Sequence, residues 1–133
     1  MAVAVADTHT VIWYLFDDAR LSTRAREAIE SVAGKNQIVA VSSISLVEIV
    51  YLEERHRIPA GTRRRMFDAL RDPSTVLQEV PVDTNIADAL SRVDATQIPD
   101  MPDRIIAATA LHLQVPIISR DSKIRASEFV TIW

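Results

Sequence analysis

Two short apolar runs each lead into an aspartate. AVAVAD is apolar from Ala2 to Ala6 and stops at Asp7; VPIISRD is apolar from Val115 to Ile118 and reaches Asp121 shortly after. Such runs read as buried strands, and in open parallel sheets ligands bind beyond the C-terminal strand ends. Both carboxylates are therefore expected at one edge of a sheet. Two further acids stand in apolar surroundings: Glu48 between Val47 and Ile49, and Asp103 at the start of RIIAATALHL. An ionised carboxylate there loses hydration unless it is paired or binds metal. Each acid also has an ordinary structural role open to it. Asp7, Asp103 and Asp121 suit helix starts, and Ser45 with Glu48 fits an S-x-x-E capping box. Taken jointly, four carboxylates converging without matched cations repel one another and shift each other's proton affinity. A divalent cation resolves that conflict, and an oxygen-only donor set points to Mg2+ or Mn2+.

The elements that must position these acids can be followed along the chain. After the first strand, Thr8 to about Asp17 reads as a short buried helix. Ser22 is a good N-cap for TRAREAIESVA, with Gly34 at its C-cap position. Gln37 to Val41 is a second strand, and SISLVEIVYLEERH is a helix with more apolar positions than one buried face needs. Pro59 and Gly61 break the chain, Thr62 caps a basic helix to Arg71, and Asp72-Pro73 stops it. Val76 to Val82 is strand-like, interrupted by Pro81. A helix from Thr84 to about Val93, the loop ATQIPDMPD and the helix RIIAATALHL follow. The chain closes with a strand at 116–119, a short helix from Ser122 and the strand FVTIW. This alternation implies a three-layer α/β/α sandwich with a mostly parallel central sheet. The helices between Ser42 and Arg71 form a pair inserted on the sheet. No repeat or linker divides the chain, so residues 1–133 are expected to be one domain.

Composition narrows the class. The 133 residues are 48% hydrophobic and 25% charged, with no cysteine, which is globular composition without disulfides or zinc–thiolate sites. The N-terminus lacks the basic stretch of a signal peptide, and no apolar run approaches the roughly 20 residues that span a bilayer. A soluble, cytoplasmic protein is expected. The formal charge of −3 argues against nucleic-acid binding through bulk charge, though not against a local basic surface. Of 15 basic residues 13 are arginine, six of them from Arg55 to Arg71. Arg63, Arg64 and Arg65 point in different directions around a helix and read first as a solvated or partner-facing surface; a phosphate-tracking role is the alternative. His56 and His112 have no spacing that makes them a metal pair, and both read as structural.

AVADTHTVIWYL, SSISLVEI and DMPDRIIAATALHLQVPIISRD, together with the length, resemble a PIN domain. More narrowly they resemble the VapC-like toxins of bacterial toxin–antitoxin pairs. The resemblance covers essentially the whole chain and rests on the ordered ensemble of motifs. It implies a metal-dependent endoribonuclease whose acidic cluster is Asp7, Glu48, Asp103 and Asp121. Asp7, Asp103 and Asp121 are the metal-ligand candidates. Glu48 has three roles open: holding a second ion, orienting the attacking water, or acting through a bridging water. Ser119 falls where the family often places a serine or threonine, and His9 where many relatives carry serine or asparagine. Asp100 is a second acid close to Asp103, which is preferred because it directly precedes the apolar helix. The resemblance also implies a homodimer and a small antitoxin that inserts a segment into the groove beside the acids. Other readings fit less well. A haloacid-dehalogenase-type phosphatase wants a second aspartate where His9 stands, and a receiver domain wants a late lysine that Lys123 is too close to Asp121 to supply. A non-catalytic RNA- or protein-binding module of the same fold would not need all four acids.

Overall fold

The computed structural model describes residues 1–133. In chain order the elements are β1 (Ala2–Ala6), α1 (Thr8–Leu15), α2 (Thr23–Glu30), β2 (Ile38–Ser42), α3 (Ser43–Glu54), α4 (Thr62–Arg71), β3 (Leu77–Val80), α5 (Thr84–Leu90), α6 (Met101–Leu113), β4 (Ile117–Ile118), α7 (Ser122–Ala126) and β5 (Thr131–Ile132). The five strands form one sheet of order β3-β2-β1-β4-β5, and every neighbouring pair is parallel. The chain steps outward from β1 to β3, then returns to the other side of β1 for β4 and β5. The junction of β1 and β4 is thus the topological switch point, where the crossovers diverge and leave a crevice at the strand ends.

Side-chain alternation along the strands divides the core in two. Ala4 and Ala6 of β1 pack on one face with Val39, Val41 and Leu77, against Val11, Ile29, Ile49 and Met66 of α1 to α4. Val5 joins Ala40 and Ile117 on the other face, against Ile86, Ile106 and Ile124 of α5, α6 and α7. The expected three layers are present, and the sheet is wholly parallel. No helix is long and apolar enough to cross a membrane.

Several boundaries differ from expectation for local reasons. Helix pairs occupy three crossovers, α1–α2, α3–α4 and α5–α6, so the α3–α4 pair is no singular insertion. Helix α2 stops at Glu30, and Gly34 (φ 74°) serves the turn before β2 instead of the helix cap. Gly61 (φ 93°), not Thr62, is the N-cap of α4. Thr62 turns its hydroxyl back to the Pro59 carbonyl at 2.6 Å, and Glu53 of α3 accepts from Arg63 N at 3.0 Å. That bond ties the two helices together and supplies the capping oxygen that Gly61 lacks. Strand β3 ends at Val80 because Pro81 has no N–H for the ladder. His56 and His112 are both exposed, His56 in a left-handed turn (φ 55°) after α3.

Candidate active site

Because Ala6 pairs with Ile118, the next residues of β1 and β4 emerge side by side. Asp7 N donates to the Ile118 carbonyl at 3.1 Å, which places Asp7 beside Ser119. The Ser119 hydroxyl donates to Asp7 Oδ2 at 2.5 Å and accepts from Asp121 N at 3.0 Å. One serine thus joins the two acids that follow the adjacent strands. Asp7 Oδ1 accepts from Thr10 N at 3.0 Å and caps α1. Asp121 Oδ1 accepts from Lys123 N and Ile124 N, both at 3.0 Å, and caps α7. The two candidate site residues are therefore also helix caps. The cap fixes the rotamer, and Asp121 keeps its second oxygen free of chain donors.

Glu48 arrives from α3. Its capping box with Ser45 does not form, because Ser42 takes the N-cap position and accepts from Ile44 N at 3.2 Å. Ser45 is instead fully buried, 2.8 Å from Thr8 Oγ1, and Thr8 Oγ1 lies 2.5 Å from Glu48 Oε1. Thr8 follows Asp7 directly, so this hydroxyl fixes Glu48 against the end of β1. Asp103 lies in the first turn of α6, and Asp100 is that helix's N-cap, accepting from Asp103 N at 3.3 Å.

All four predicted acids, together with Asp100, line one cavity of about 640 Å³, in which Trp13 is the sole apolar side chain. The chain's ion pairs join Arg20 to Asp18, Arg26 to Asp17 and Glu30, and Arg92 to Asp88; none reaches the five acids. The electrostatic consequence is direct. Burial, then the charges of Asp100, Asp121, Asp7 and Glu48, pushes the Asp103 carboxyl up to about 7. Burial also raises Glu48, with the Thr8 hydroxyl opposing and Asp100 and Asp7 adding to the rise. As the side chains stand, no three acids or histidines are gathered tightly enough to hold one ion. The donor chemistry nevertheless fits a hard divalent cation: the acids offer only oxygen, and none of the five is ion-paired within the chain.

The cavity has another wall that the sequence reading missed. His9, Arg20 and Arg120 line it together with Trp13. The Arg20 and Arg120 guanidiniums lie 5.1 and 4.5 Å from the Trp13 ring centroid, and the His9 ring lies 5.7 Å away. His9 and Trp13 are one turn apart on α1 and Arg20 follows soon after, whereas Arg120 reaches them only through the fold. The one local signal was Arg120 itself, adjacent to Asp121. Arg63, Arg64 and Arg65 are exposed and do not line the cavity.

The PIN domain family matches residues 4–129. The chain belongs to the PIN domain family. Among curated proteins it is 26% identical to ribonuclease VapC22 of Mycobacterium tuberculosis over 136 residues, with both chains fully covered. Among solved structures it is similar to VapBC2 from Rickettsia felis bound to a promoter DNA fragment, with a TM-score of 0.69 and 17% identity over 98% of this chain and 97% of that one. A toxin–antitoxin complex from Klebsiella pneumoniae gives a TM-score of 0.66 and 24% identity, covering 98% and 96% of the two chains.

Proposed function

We propose that this chain is a divalent-metal-dependent endoribonuclease, the VapC-like toxin of a toxin–antitoxin pair, with residues 1–133 acting as one catalytic domain in the cytoplasm. The observation that carries this reading is the convergence of five carboxylates at the switch point of the sheet, none of them in an ion pair with a basic residue of the chain. Membership of the PIN family and the ribonuclease relative support the reaction class.

Asp7, Asp103 and Asp121 would hold Mg2+ or Mn2+. When bound, the cation supplies an activated water and neutralises charge developing on the phosphate. The chain's own residues do the rest. Ser119 keeps the Asp7 carboxylate turned toward Asp121. Glu48, anchored by Thr8 and with raised proton affinity, would take a proton from the attacking water. The new bond joins water oxygen to phosphorus, the bond to the leaving ribose oxygen breaks, and that oxygen takes its proton from solvent. Asp100 adds negative charge at the rim.

A small antitoxin is the partner expected from the toxin–antitoxin complexes of similar fold. Helix α3 offers it an apolar surface, with Val47 62% and Tyr51 47% exposed. A homodimer belongs to the same reading. The test is incubation of the purified chain with RNA and Mg2+ or Mn2+. Fragments should appear with the cation and be absent in excess chelator; cleavage that persists in chelator refutes the metal-dependent mechanism.

A further inference from the structure

We infer that Arg120 is the substrate-binding residue that anchors a phosphodiester group of the RNA opposite the acidic wall. The inference rests on the ribonuclease reading above and adds to it the residue that receives the polyanion. Five carboxylates exceed the charge of one divalent cation, so a basic group in the cavity wall favours the approach of phosphate. Two arginines reach that wall, and they are not equivalent. Arg20 is held by Asp18 through both carboxylate oxygens, at 3.1 Å from Nε and 2.7 Å from Nη2. Its donors and charge are largely satisfied. Arg120 makes no ion pair and donates no side-chain hydrogen bond, although acids line the same cavity. Its guanidinium lies over the Trp13 ring at 4.5 Å.

That stacking explains why Arg120 does not collapse onto a neighbouring carboxylate. Trp13 is itself buried in the α1–α4 core, with Trp133 edge-on at 5.8 Å, so the platform is rigid. A guanidinium on an aromatic face keeps its edge N–H groups free, and that edge matches two phosphate oxygens at once. Backbone placement adds to this. Arg120 lies between Ser119, which touches Asp7, and Asp121, so a phosphate on its fork sits beside the acids that carry the chemistry.

The test uses the Asp7→Asn chain, so that RNA is bound without being consumed. Binding of a labelled single-stranded RNA is followed by fluorescence anisotropy across a salt series, with and without Arg120→Gln, Arg120→Lys or Arg24→Gln. Arg24 is exposed on α2 and outside the cavity. Arg120→Gln should weaken binding roughly ten- to a hundredfold, the loss of one charge-assisted contact, and lower the salt slope by about 0.7, one phosphate contact on a single strand. Arg120→Lys should restore the slope but only part of the affinity, because the charge returns without the fork. Arg24→Gln should change neither. Melting curves exclude loss of fold as the cause. If Arg120→Gln binds with unchanged affinity and slope, the inference is wrong and the ribonuclease reading stands. If the Asp7→Asn chain binds no RNA at all, both fall.

Discussion

The Ser119 hydroxyl lies 2.5 Å from Asp7 Oδ2 and accepts the backbone N–H of Asp121 at 3.0 Å, so a single buried side chain sets the relative position of two acids that follow adjacent strands. Ser119→Ala removes both bonds at once. Leaving the part-buried Asp121 N–H without an acceptor costs up to about 1–3 kcal/mol, so the variant should be less stable and melt at a lower temperature. It should also cleave RNA more slowly at a temperature where both proteins are folded, because Asp7 Oδ2 and the Asp121 backbone lose the hydroxyl that links them. Equal rates at that temperature would assign Ser119 to stability alone.

Asp7→Asn keeps the size of the side chain and an oxygen for Thr10 N, so the cap on α1 survives. The negative charge is lost. Circular dichroism should match the parent, while RNA cleavage in Mg2+ falls to background. Cleavage at the parental rate would remove Asp7 from the metal site.

Thr8 holds Glu48, and its hydroxyl is the one contact that opposes the upward shift of that carboxyl. Thr8→Val is nearly isosteric and removes the donor. Glu48 should then ionise at higher pH. If ionised Glu48 takes the proton from water, the acidic limb of the pH–rate profile moves to higher pH in the variant. An unmoved limb excludes Glu48 as the group that limits the rate at low pH.

Asp103 gives the metal-free chain a distinctive pH dependence. Its carboxyl lies up at about 7 in the folded protein, against about 3.9 in an unfolded chain. The folded state therefore binds this proton more tightly, and stability from this group falls as pH rises from about 4 to about 7. Asp103→Asn should abolish that slope and, without metal, be more stable than the parent at pH 7 by about 1–2 kcal/mol after solvent screening. Melting temperatures measured in chelator across this range decide it; parallel curves for the two proteins count against the crowded-acid description.

Asp7 and Asp121 were legible because each follows an apolar run, and strand ends are where parallel sheets gather ligands. Glu48 was legible as an acid in a helix that is apolar on nearly every side. The Ser45–Glu48 capping box that the sequence allows does not form because Ser42, the last residue of β2, captures the N-cap, and only the true helix start distinguishes the two serines. Asp100 was passed over for a related reason. Helix α6 begins at Met101, which makes Asp100 its cap and leaves Asp103 inside the first turn. Thr8 with Glu48, and Trp13 with Arg120, lie far apart in sequence and are neighbours only once the order β3-β2-β1-β4-β5 exists. Hydrophobic periodicity identifies strands, but it carries no information on which strands adjoin.

The central claim is that these acids form one cation site, and thermal melting with added Mg2+ or Mn2+ tests it most directly. A cation that binds only the folded chain stabilises it by about 2.7 kcal/mol at a hundredfold excess over Kd. Millimolar Mn2+ should therefore raise the melting temperature of the parent and leave that of the Asp7→Asn, Asp103→Asn double variant unchanged. A shift of equal size in the double variant would place the ion elsewhere on the chain and contradict the account.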